Sequence, residues 1–196
     1  MSKVGILGGA FDPPHIGHIA LAEQVKKDLK LASVLVIPTA KPPHKRASAV
    51  PFAKRFDMAA LAFGDKEGYA VSDIENRLGG QSYTINTIRA LKEILPPKTE
   101  LYLMIGGDQL FTIEQWYRYE SVLKESRVVA VTRGDMSYTD MQEYANELGR
   151  VRVINADIPD ISSTAVRERI ASGGDASDMV PEKVLEYIRR EGLYRG

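Results

Sequence analysis

Apolar positions recur along this chain with two periods. Short apolar runs of strand length stand at Lys3–Leu7, Ser33–Pro38, Ala70–Ile74, Leu101–Ile105, Arg127–Arg133 and Val151–Ile154, and β-branched residues dominate most of them. Between them, apolar residues return every three to four positions, the stripe of an amphipathic helix. Leu21, Val25 and Leu29 form the first stripe, and Phe52, Phe56, Ala59, Ala60 and Phe63 the second. A third runs through Ile85, Ile88, Leu91 and Leu95 until Pro96-Pro97 ends it. Short helices are expected over Glu120–Lys124 and Asp140–Leu148, and a loop over Leu78–Ser82. Ser162-Ser163-Thr164 starts a helix that Gly173-Gly174 stops, and Pro181 opens a last one carrying Val184, Leu185, Ile188 and Leu193. Strands alternating with helices predict an α/β chain: a Rossmann-like, doubly wound, mainly parallel sheet with helices on both faces. No repeat, linker or composition shift divides residues 1–196, so one domain is expected.

Bulk properties change this picture little. Lys and Arg number 26, as do Asp and Glu, so the formal net charge is zero and nothing asks for a nucleic-acid or membrane partner. The absence of cysteine removes disulfides and thiolate metal sites. The first apolar run is too short for a signal peptide and none reaches transmembrane length, which reads as a cytoplasmic protein. Oligomeric order stays open, with a homo-oligomer possible.

The candidate chemistry gathers on the turn between the first strand and the first helix, Gly8-Gly9-Ala10-Phe11-Asp12-Pro13-Pro14-His15-Ile16-Gly17-His18. In an open parallel sheet that turn lies at the carboxyl edge, where ligands bind. Gly8 and Gly9 have no side chain to hold a phosphate away from the backbone. If Gly17 opens the helix, His15 and His18 share one face at its N-terminus, beside unpaired N–H groups and the positive end of the dipole. A Gly-Gly turn or an isolated HxxH is often incidental. The combination in one short stretch favours a phosphate site, although neither GxGxxG nor GxxxxGK[ST] is present. Ser162-Ser163-Thr164 with Arg167 one turn further adds hydroxyls, N–H groups and a bidentate cation, suited to a triphosphate. The same Ser/Thr run is also an ordinary cap. Gly106-Gly107-Asp108 is a second glycine turn at the sheet edge, its Asp fit to meet a ribose hydroxyl or to cap a helix.

The stretch GGAFDPPHIGH resembles the signature of the nucleotidyltransferase superfamily that shares an H-x-G-H motif with class I aminoacyl-tRNA synthetases, and is most similar to bacterial nicotinate-nucleotide adenylyltransferases. Ile161-Ser162-Ser163-Thr164-Ala165-Val166-Arg167 resembles the second signature of that family. The resemblance covers nearly the whole chain and implies adenylyl transfer from ATP to nicotinate mononucleotide, with Mg²⁺ on the triphosphate and no protein metal site. It implies catalytic roles for His15, His18 and Arg167. ATP contacts are implied for Gly8, Gly9, Ala10, Phe11, Gly17, His18, Gly106, Asp108, Arg133, Ile161, Ser162, Ser163, Thr164 and Arg167. Mononucleotide contacts are implied for Asp12, His44 and Lys45 of the proline-stiffened basic loop, Ser82, Tyr83 and Thr84 at a helix start, and Trp116 against the ring. Arg133-Gly134-Asp135 departs from the family's usual Arg-Pro-Gly. The sister pantetheine-phosphate adenylyltransferase shares the second motif, but His15, the PPHK loop and Trp116 argue against it. A three-histidine zinc hydrolase would leave the glycine turn unexplained, and a non-catalytic nucleotide sensor would not need both phosphate motifs intact.

Overall fold

The computed structural model describes residues 2–43 and 48–195. Among them, six strands form one sheet: β1 (Lys3–Gly9), β2 (Ser33–Pro38), β3 (Tyr69–Val71), β4 (Glu100–Gly106), β5 (Arg127–Val131) and β6 (Val151–Ile154). The order is β3-β2-β1-β4-β5-β6, and every neighbouring pair is parallel. The sheet therefore grows outward in both directions from β1 and β4, and the gap at their carboxyl ends is the point where the winding reverses.

Alternation along the strands feeds two cores. On one face Leu7, Val34, Val36, Met104, Val129 and Val131 meet α1 (Ile16–Leu29), α2 (Phe52–Phe63), α8 (Ser163–Ala171) and α9 (Glu182–Arg190). On the other, Val4, Ile6, Leu101, Leu103, Ile105, Val128 and Ala130 meet α3 (Ile74–Leu78), α4 (Thr84–Ile94), α5 (Gly107–Leu110), α6 (Tyr119–Glu125) and α7 (Tyr138–Leu148). Strands buried on both sides explain why they read as continuous apolar runs.

Several boundaries differ from the sequence reading, by one or two residues at β5, α6 and α7 and more informatively elsewhere. His15 has extended backbone angles (φ −138°, ψ 169°) and is the N-cap of α1, so the helix opens at Ile16, one residue ahead of Gly17. The third strand is only Tyr69–Val71, and Ile74–Leu78 coils into a short helix; an apolar run of that length does not separate strand from helix. Leu78 consequently belongs to that helix and not to the loop. The last helix stops before Leu193, because Gly192 (φ 61°) ends it: its N–H donates to the Arg189 carbonyl and that of Leu193 to the Ile188 carbonyl. That pair of bonds is a Schellman stop, and the left-handed residue it needs is glycine. In α1, Ile19, Ala22, Val25 and Leu29 carry the burial, with Leu21 at the margin.

Candidate active site

The turn after β1 is held from several distant parts of the chain. The Gly9 carbonyl accepts from the Thr39 N–H (2.8 Å), and the Ala10 carbonyl accepts from Arg55 Nη1 (2.7 Å). The Asp12 carbonyl accepts from Arg167 Nη1 (2.8 Å), and the Pro13 carbonyl from Ser163 Oγ (2.8 Å). Each of these oxygens is thereby drawn to a protein donor, which favours an anion over a cation as the ligand of the turn. Gly8 is exposed, its φ is not positive, and a Cβ there would meet nothing within 4 Å. Protein packing does not explain that glycine, whereas close approach of a ligand to the backbone does.

His15 and His18 stack, their ring centroids 3.6 Å apart and 29° from parallel. The His15 N–H donates to Nδ1 of His18 (3.2 Å), the reciprocal arm of an N-cap arrangement. That bond places the proton of neutral His18 on Nε2, leaving an N–H donor at the other edge of the ring. Burial, then the neighbouring charges of His15 and Arg133, hold the His18 pKa well below the usual histidine range. Burial first and Arg133 second hold His15 down at about 4. Both rings are therefore neutral at pH 7 in the free protein. The buried Nδ1 of His15 has no hydrogen-bond partner among the described residues, a cost on the order of 1–3 kcal/mol that a functional site tolerates. Phe11, in the left-handed region at φ 49° and fully buried, sets its ring edge-on to His18 at 5.0 Å. A Cβ at Gly17 would crowd the Pro159 carbonyl oxygen at 3.0 Å and the His15 ring at 3.1 Å.

That carbonyl belongs to the segment leading into α8, so the second motif docks on the first. Ser162 is the N-cap, its Oγ accepting from the Ala165 N–H (3.1 Å). Arg167 donates from Nη2 to Thr164 Oγ1 (3.1 Å) as well as to Asp12. Arg133 leaves the end of β5 and pairs with Asp160 (Nε to Oδ1, 3.1 Å), while its Nη1 approaches the Ile161 carbonyl at 3.5 Å. Arg133 is thereby held against the segment that leads into α8. Across the switch point, Gly106 is the N-cap of α5 and Asp108 is exposed on its first turn without capping it.

The residues expected at the ring end also converge. Tyr83 is the N-cap of α4 and stacks on Tyr117, centroids 4.3 Å apart. Trp116 is half-buried beside them, against the same core as Tyr83. Thr84 is the first residue of α4, where the amides precede the first helical bond. Ser82 neither caps α4 nor stands free: its Oγ accepts from the amides of Ala40 (3.1 Å) and Lys41 (2.9 Å). It therefore fastens the start of the basic loop to α4. His44 and Lys45 lie outside the described residues.

Several participants escaped the sequence reading. Arg55 is buried, and its guanidinium joins the Ala10 carbonyl to that of Val50 (3.2 Å). Burial depresses its pKa, opposed by Asp12, Tyr194 and Glu75. Glu75 is buried, accepting from the Ala40 amide (3.3 Å) and Thr87 Oγ1 (3.0 Å); burial raises its pKa. Arg55 occupied a helix position that reads as solvated, and Glu75 stood in an expected strand-loop junction, so spacing gave no signal for either. Asp12 also proves to be engaged: its Oδ2 accepts from Ser48 Oγ and its Oδ1 from the Tyr194 hydroxyl, both at 2.7 Å.

Among the described residues no three His, Asp or Glu side chains gather as a metal cage. Of the carboxylates at this edge, Asp12 accepts from two hydroxyls and Asp160 pairs with Arg133, while the neighbouring His18, Arg133 and Arg167 supply donors, a set that suits an anion or a cation already carried by its oxygens. Among the described residues, no helix is long and apolar enough to cross a membrane.

Residues 6–169 match the family model described as cytidylyltransferase-like. A relative from Dehalococcoides mccartyi, named "Probable nicotinate-nucleotide adenylyltransferase", is 40% identical over 98% of this chain and 97% of its own. Relatives of the same name from Exiguobacterium sibiricum (38% identical, 98% of each chain) and Thermotoga maritima (37%, covering 100% of this chain and 94% of that one) align equally fully. Plasmodium falciparum nicotinic acid mononucleotide adenylyltransferase, solved with NaAD, has the same fold, with a TM-score of 0.80, 18% identity and coverage of 99% and 98%.

Proposed function

The chain belongs to the nicotinate-nucleotide adenylyltransferase family of nucleotidyltransferases, and from that premise we propose how its own residues transfer an adenylyl group from ATP to nicotinate mononucleotide. The observation that carries the reading is the docking of the Ser162–Arg167 turn on the Gly8–His18 turn at the switch point of the sheet. Two anion-accepting helix starts, joined there, fit one ligand with several phosphates.

The 5′-phosphate oxygen of the mononucleotide attacks the α-phosphorus of ATP in line. A P–O bond to the dinucleotide forms as the bond to pyrophosphate breaks, giving nicotinate adenine dinucleotide. A phosphomonoester has its second pKa near ~6, so the nucleophile is already ionised at pH 7 and needs no general base. Catalysis then reduces to positioning and stabilisation of charge. His18, with its Nε2–H free, donates to charge developing at the reacting phosphate, and His15 donates beside it. Arg167, Arg133 and the Ile161–Thr164 turn hold the β- and γ-phosphates and the departing pyrophosphate. Gly8, Gly9, Ala10, Phe11 and Gly17 contribute the close backbone approach, and Gly106 and Asp108 face a ribose.

At the other end, Lys45 and His44 steady the mononucleotide phosphate, the amides of the first turn of α4 from Thr84 onward receive the carboxylate, Tyr83 lines the site with its ring (its own N–H donates to the Gln81 carbonyl, 2.8 Å), and Trp116 covers the nicotinate ring. Ser82 serves by holding the loop that carries the cations. Mg²⁺ on the triphosphate oxygens supplies charge neutralisation. The setting is the cytoplasm, where the product continues toward NAD.

The test is to incubate the purified protein with ATP and a panel of mononucleotides and to read product masses. The expected result is a dinucleotide from nicotinate mononucleotide with stoichiometric pyrophosphate. A product only with pantetheine phosphate, or none with any acceptor, overturns the reading.

A further inference from the structure

We propose that Tyr194 and Ser48 are positioning residues for adenylyl transfer: acting through Asp12, they hold the turn that carries His15 and His18. The inference rests on the reading of that turn as the triphosphate site. Its starting point is the hydrogen-bond geometry of Asp12. Ser48 donates to one carboxylate oxygen and Tyr194 to the other, both at 2.7 Å. Short O–H···O⁻ bonds of this kind are roughly twice as strong as neutral ones. Ser48 Oγ also accepts from the Val50 amide (3.0 Å), and the Val50 carbonyl accepts from Arg55, which in turn holds the Ala10 carbonyl. Asp12 is thereby joined to α2 as well as to Arg167, which grips its carbonyl.

The turn has reason to need this clasp. Phe11 sits at φ 49°, a conformation that is unfavourable for a non-glycine residue and persists only where surroundings impose it. A free carboxylate here would also repel a triphosphate. With both oxygens accepting hydroxyl protons, and with Arg55 and Arg167 adjacent, its charge is directed into the protein. Tyr194 reaches Asp12 because the Gly192 stop turns the chain back after α9, and α9 is anchored to α2 by the Tyr187 hydroxyl donating to Asp57 (2.9 Å). Desolvation and the Asp12 bond both push the Tyr194 phenol far up, so it remains a donor throughout the working pH range.

The decisive variant is Tyr194→Phe, which removes one hydroxyl and keeps the ring. We expect kcat/KM for ATP to fall about tenfold, the scale of one charge-assisted bond. Amide hydrogen exchange in the 8–18 segment should speed up, with the β4 segment unchanged. In an Asp12→Asn background the same substitution should cost less than twofold, because its partner is already altered. Ser48→Ala should reproduce the exchange result, and it replaces Tyr194→Phe if that variant fails to fold. Unchanged kcat/KM and exchange overturn the proposal. So does a full tenfold loss persisting in the Asp12→Asn background, or a lowered Tm with KM and exchange unaltered, which marks a merely structural bond. Exchange is read without substrate, so absence of any transfer by the wild type would refute the functional reading and leave the clasp to be judged on its own.

Discussion

The two ends of the proposed site, one for the phosphates and one for the ring, are built from different materials. At the first, His15 and His18 come from the turn after β1 and the start of α1, Arg133 from the end of β5, and Arg167 and the Ser163 hydroxyl from α8; Arg133, Arg167 and Ser163 are each fixed by a named partner, and the two histidine rings stack on each other. At the ring end the donors are the first amides of α4, and the walls are the half-exposed aromatic groups Tyr83, Trp116 and Tyr117. The contrast follows from what each end does. Charge grows at the phosphorus during reaction, and donors that do not reorganise stabilise it best. The ring only binds, and stacking tolerates small displacements.

The comparison is tested most severely at His18. His18→Ala should lower kcat by two to three decades, the roughly 3–4 kcal/mol of a donor acting on developing charge, while ATP binding measured calorimetrically changes little. Near-normal turnover at saturating substrates would place the reacting phosphate elsewhere.

A smaller effect should appear without any substitution. His15 titrates at about 4 in the folded protein and near 6.5 when unfolded, and His18 is shifted in the same direction. Between those values the unfolded chain binds more protons, so stability is complete above pH 6.5 and is lost as the pH falls toward 4. The shift at His15 corresponds to about 3 kcal/mol at most. Denaturant unfolding followed from pH 7 to pH 4, in wild type and in His15→Gln, measures it. An equal slope in both proteins removes the histidine from the account.

The smallest expected effect lies at the ring end. In the proposed site the carboxylate of nicotinate mononucleotide would accept from amides of the first turn of α4 and gain from the dipole, whereas a carboxamide would turn an NH₂ toward donors. The mismatch costs on the order of 1–3 kcal/mol, about one to two decades in kcat/KM for acid over amide. Trp116→Ala should weaken both substrates equally and leave that ratio intact. Thr84→Ala should lower it only in part, since the backbone donors remain. Equal kcat/KM values in the wild type would refute the acid-selective pocket, and a ratio abolished by Trp116→Ala would move the discrimination from the helix to the ring wall.

Much of this molecule was present in its linear pattern. Ser33–Pro38, Phe52–Phe63 and Val151–Ile154 fall where periodicity puts them, because strands buried on both faces and helices buried on one leave unmistakable traces. The two phosphate motifs were legible for a related reason: glycines, histidines and capping hydroxyls crowd into a few residues, where local geometry demands them. The sequence by itself thus determined the alternating elements and the two motifs that the proposed phosphate site joins.

Tertiary structure decided how those motifs meet. Arg167 reaches Asp12 across 155 positions and Tyr194 reaches it across 182, and no local period records such a pairing. It also decided that Asp12 bonds inward to two hydroxyls, that Ser82 serves a loop and not a cap, and that Arg55 and Glu75 lie buried. A buried charge is permitted only by partners supplied from elsewhere in the chain, and those partners become visible only when the sheet and its helices bring them within hydrogen-bond reach.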